Sequence, residues 1–130
     1  MSKFELEQIY LQLEHEIKRL SQSTDIVYRD ATREDAQQAV IDLKSDIDNW
    51  VVRLRDRSIS CYELENLLEN KRSKIKLMRL KNKGLDEMEM EIFKGDVLRL
   101  IARALINTYL ESLFRNQKTL NQFPQELYEQ

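Results

Sequence analysis

The chain has 130 residues, 42% of them apolar and 34% charged, with a formal net charge of −2. That is enough for one domain with a core of its own, and too apolar for a disordered segment. Two glycines and one proline leave little for tight turns, which excludes a many-stranded sheet and implies long helices. A lone cysteine, Cys61, excludes an intrachain disulfide.

The first helix is expected over residues 3–21, where Leu6, Ile9, Tyr10, Leu13, Ile17 and Leu20 fall on one face. Residues 22–31 read as a loop, with Ile26, Val27 and Tyr28 folding back over one end of the fold. The second helix is expected over 33–56, opened by Thr32 and Asp35 in the manner of a capping box. Ala36, Val40, Leu43, Ile47, Trp50 and Leu54 then keep a strict heptad seam, the clearest pattern in the chain.

The third helix is expected over 61–83. Ser60 and Glu63 form a full capping box, Leu64, Leu67, Leu68, Ile75 and Met78 share a face, and Gly84 stands where the helix should stop. The fourth helix follows Asp86, with Glu89 as a second capping partner. Gly95-Asp96 should break it, leaving 86–94 as a connector helix and 96–118 as the main segment, with a tail fraying from Asn116. Short links imply antiparallel neighbours. The expected fold is therefore all-α: an antiparallel up-down four-helix bundle in a single domain spanning 1–130, to which dimerisation could contribute.

Few chemical motifs are present. One Cys and one His cannot build a zinc site, and no glycine-rich phosphate loop exists. His15 lies opposite Leu6 and Leu13 and reads as a solvated side chain, and Cys61 as a half-buried thiol. Asp42 with Asp46, or Asp86 with Glu89, could in principle hold Mg²⁺, but scattered surface carboxylates are the norm. No catalytic residue, cofactor or metal is expected, and the protein is not read as an enzyme.

Two features point to binding. The first is charge. Residues 1–70 hold 9 basic and 15 acidic side chains, whereas residues 71–130 hold 12 and 8. Seven cations lie between Lys71 and Lys83 with no acid among them. On a helix, Lys74 and Lys81 would face Asp35, Asp42 and Asp46 of the second helix. Arg72, Lys76, Arg79 and Lys83 would form a basic rail able to follow phosphates.

The second feature is the breadth of the apolar face after Gly95. Leu98, Ile101, Leu105 and Tyr109 are its expected docking residues, and off-seam apolar residues (Phe4, Leu11, Ile41, Val52, Leu77 and Leu80) add to the surplus. The expected function is a non-enzymatic interaction or assembly module, a homodimer or a partner of another helical protein. The alternative is a nucleic-acid accessory protein using the basic rail. No apolar run is long enough to span a membrane, and Met1-Ser2-Lys3-Phe4-Glu5 does not resemble a signal peptide, so a cytoplasmic location is expected.

Overall fold

The computed structural model describes residues 3–121, and within them the chain is all-helical, with six α-helices and no strand. Helix α1 spans Lys3–Gln22 and buries Ile9, Leu13 and Ile17, one apolar residue per turn. Its end is written in hydroxyls. Ser21 donates to the Lys18 carbonyl, and Ser23 and Thr24 both donate to that of Leu20, an acceptor the helix cannot pair itself.

The loop expected over 22–31 is shorter. A 3₁₀ turn at Ile26–Tyr28 runs directly into α2, Arg29–Asp42. Ile26 and Val27 are 72% and 61% exposed, and only Tyr28 packs on the core, so the expected apolar cover is mostly absent. Thr32 and Asp35 do not open this helix. Both lie inside it and are buried, and Asp35 has a different partner, described below.

The expected helix over 33–56 is two helices, α2 and α3 (Lys44–Arg55), meeting at Leu43. Leu43 is fully buried, and the bonds Leu43 N–H to Ala39 O (3.0 Å) and Ile47 N–H to Leu43 O (2.8 Å) carry helical pairing to and from the joint. All six residues of the heptad seam are buried. Helix α3 ends on Arg57, held at φ 59°, where glycine is usual. The bonds Ser58 N–H to Arg53 O and Arg57 N–H to Leu54 O close a Schellman cap there.

The expected helix over 61–83 is broken. Helix α4 covers Cys61–Glu69, a 3₁₀ turn covers Arg72–Lys74, and α5 covers only Met78–Asn82. Two forces favour the break. Like charges one turn apart, as at Arg72, Lys76, Arg79 and Lys83, repel along a helix. Ile75 and Leu77 would also point to opposite sides of one, whereas in the broken chain both are buried. Met78, expected on the seam, is instead 54% exposed. The local signals hold: Ser60 and Glu63 make both bonds of the capping box. Gly84, at φ 94°, closes a Schellman motif through Leu85 N–H to Leu80 O and Gly84 N–H to Lys81 O.

Helix α6 runs unbroken over Glu87–Asn121, opened by Asp86, whose carboxylate accepts the Glu89 N–H at 2.8 Å. The expected connector at 86–94 is therefore its first turns, and Gly95-Asp96 does not interrupt it. One glycine inside a helix costs about 1 kcal/mol, less than the burial of Val97 and Leu98 just beyond it contributes. The expectation of a fraying tail from Asn116 falls on the helical end of α6 and on residues beyond the described ones.

Helix α6 packs on α1, α2, α3, α4 and the Arg72–Lys74 turn, and is the spine of the core. Glu5 with Arg55, and Tyr10 with Asp48, set α1 antiparallel to α3. A buried carboxylate, Glu16, ties α1 to α6 by accepting from Arg103 at 2.9 Å, and it also accepts from Gln12 of its own helix at 3.3 Å.

Candidate functional site

The broad apolar face of the last helix is spent inside the chain. Leu98, Ile101 and Leu105 are 5%, 0% and 2% exposed and belong to the core with Val97, Leu100 and Ala104. They are not free to dock a partner, which corrects the expectation for these three. Tyr109 is only half-buried. Beyond Leu105, no described side chain of α6 is buried, yet the apolar spacing continues at Ile106, Tyr109, Leu110 and Leu113, a helical i, i+3, i+4, i+7 stripe. Ile106, Tyr109 and Leu113 are half-buried and Leu110 is 42% exposed.

The basic rail does not assemble. Arg72 lies in the 3₁₀ turn, Lys76 in the irregular stretch after it, Arg79 in α5, and Lys83 at the end of α5. Arg72 is fully engaged. It meets Glu69 at 2.6 Å, and the Glu91 carbonyl and carboxylate at 2.9 and 3.2 Å. Its guanidinium also passes over Gly95, where a Cβ would sit 3.5 Å from Nη2. These bonds, Glu69 foremost, raise the Arg72 pKa further above its ordinary value. The Glu91 carboxyl is held below its own, first by Lys94 and then by Arg72.

Arg79 pairs with Glu34 at 2.9 Å and with Asp35 at 3.5 Å. Lys76 and Lys83 are exposed and make no ion pair among the described residues. Of the complementary stripe, Lys74 does face helix α3, where it and Lys71 share Asp46 at 3.9 and 3.5 Å. Asp42 instead accepts from Gln38.

Asp35 carries the most informative buried charge. Its carboxylate accepts the backbone N–H of Arg79 at 3.1 Å and of Leu80 at 2.9 Å. Those amides are the second and third of α5, the donors an N-cap side chain ordinarily satisfies. The residue at that cap is Leu77, in left-handed conformation at φ 48°, with no oxygen to offer. Asp35 therefore caps α5 from another helix.

A surface the sequence reading missed lies between α1 and α3: a groove of about 430 Å³ lined by Leu6, Glu7, Tyr10, Leu11 and Glu14, with Lys44 and Asp48 opposite. Tyr10 donates to Asp48 at 2.7 Å, Lys44 pairs with Asp48 at 2.9 Å, and the Lys44 ammonium sits 5.4 Å from the Tyr10 ring centre. Burial first, then the bond to Asp48 and its charge, push the Tyr10 phenol well above its ordinary pKa. The only signal in the sequence was Leu11, lying off the core face.

His15 is exposed and Cys61 is a half-buried free thiol. Among the described residues, no three His, Cys, Asp or Glu side chains are placed to hold a metal ion, and no helix is long and apolar enough to cross a membrane. Compared with known protein families, curated proteins and solved structures, the chain matches none.

Proposed function

We propose that the protein is a non-enzymatic helical interaction module that pairs with a second copy of itself through the distal part of α6. The observation that carries this reading is the apolar stripe Ile106, Tyr109, Leu110, Leu113, which continues past Leu105, the last buried residue among the described side chains of the helix. A 35-residue helix is about 52 Å long, and the 20 residues of α1 reach about 30 Å. Completing the burial of a half-exposed apolar side chain contributes about 1 kcal/mol, and two-fold symmetry counts each such residue twice. Leu11, Ile41 and Val52, expected as surplus apolar residues, are also exposed, whereas Leu77 and Leu80 are core. The side chain of Phe4 lies outside the described residues.

On this reading, dimerisation through α6 completes an up-down four-helix arrangement. The setting we propose is the cytoplasm, where a free thiol such as Cys61 stays reduced.

Light scattering on a sizing column, at low and high salt, tests the proposal. The wild type should have the mass of a dimer at both salts, because the contact is apolar. Leu110→Asp should have the mass of a monomer with unchanged helical circular dichroism. A monomeric wild type, or a dimer indifferent to Leu110→Asp, would overturn it.

A further inference from the structure

We infer that the groove between α1 and α3 is a docking site for a basic amphipathic helix of another protein. The inference deepens the interaction-module reading but does not depend on pairing through α6. The floor of the groove is apolar: Leu6 and Tyr10 are half-buried, and Leu11 is 57% exposed. Tyr10 is also held still. Its hydroxyl is bound to Asp48, and Lys44 lies against its ring, so one wall is fixed before a partner arrives.

The charge along the groove is unbalanced, and the imbalance selects the partner. Among the described residues, Lys44 is the only cation lining it, and it is already spent on Asp48. Glu7 and Glu14 lie exposed on the α1 side and pair with no cation among the described side chains. They are seven residues apart, two helical turns or about 10.5 Å along the axis. A helix laid in this groove would place Leu- or Ile-sized side chains against Leu6 and Leu11. It would also offer Lys or Arg to Glu7 and Glu14 at the same heptad interval. An acidic helix would leave both carboxylates facing like charge.

Fluorescence anisotropy with two synthetic peptides tests this. One is a Leu/Lys amphipathic helix about 15 residues long, enough to hold a helix on binding. The other is its Leu/Glu counterpart with the same leucine positions. The wild type should bind the basic peptide and not the acidic one. Glu7→Lys/Glu14→Lys should weaken the basic peptide about tenfold or more and admit the acidic one. Glu65→Lys/Glu87→Lys changes the net charge equally but elsewhere on the surface, and should weaken binding far less.

Equal binding of both peptides, or equal losses in the two double variants, would overturn the proposal. So would a wild-type dimer that Glu7→Lys/Glu14→Lys dissociates, since the groove would then hold a second copy. Leu110→Asp should leave peptide binding intact, which separates this test from that of α6 pairing.

Discussion

Replacing Asp35 by alanine should destabilise the protein far more than removing the arginine beside it. Asp35 is 3% exposed and accepts the Arg79 and Leu80 amides at 3.1 and 2.9 Å. In Asp35→Ala both donors lose their acceptor. A buried unpaired donor costs about 1–3 kcal/mol, and the Leu80 bond is buried whereas that of Arg79 is partly so, giving a total of about 3 kcal/mol. For a chain of this size, that lowers the melting temperature by about 10 °C.

Arg79→Ala leaves the backbone amides bonded to Asp35 and removes only the guanidinium contacts. Its side chain is 48% exposed, so those contacts contribute about 1 kcal/mol at most. Urea denaturation of both variants, read by circular dichroism, checks the ratio. Similar losses in the two, or a loss below about 1 kcal/mol in Asp35→Ala, would refute the capping argument, because the carboxylate would then serve only the ion pair.

Three further outcomes are expected. Gly95→Ala should raise stability by about 0.5–1 kcal/mol in thermal denaturation, since its Cβ meets nothing closer than an ordinary contact at 3.5 Å. Arg103→Ala should cost about 1–2 kcal/mol, discounted from a fully buried pair because Arg103 is 51% exposed. Adding Glu16→Gln to that variant should recover part of the loss in the same melt. Finally, Tyr10 ionises later in the fold than its ordinary value of 10.0, so above that pH the unfolded chain holds fewer protons than the folded one. Stability from Tyr10 is therefore complete below about pH 10 and falls as pH rises above it, and Tyr10→Phe should show a shallower loss between about pH 10 and 12 in urea midpoints.

What could be read in the sequence was what neighbouring residues decide among themselves. The heptad seam from Ala36 to Leu54, the capping box at Ser60 and Glu63, and the stop at Gly84 each need only a few adjacent positions, and each is found in the structure. The errors lie where distant residues overrule local pattern. The run 61–83 has helical periodicity, but it breaks so that Ile75, Leu77 and Leu80 all reach the core while Asp35 supplies the cap that Leu77 lacks. Gly95 looked like a stop, yet α6 continues through it, with Arg72 brought against that position from outside the helix. Arg57 takes the left-handed turn after α3 without being glycine, and composition gave no sign of it. The α1–α3 groove depended on which flank of α1 its neighbour left open, which periodicity cannot supply.

The central place of α6 also sets the order in which the chain can fold. Its partner α1 lies far away in sequence: Glu16 and Arg103, which join them, are 87 positions apart. The α1–α2 hairpin can close early over its short link, but the core is sealed only when that long loop shuts. Refolding should therefore be slower than in helical proteins held by local contacts alone. Until α6 docks, the side chains it covers remain a sticky surface, and encounters between unfinished chains compete with completion.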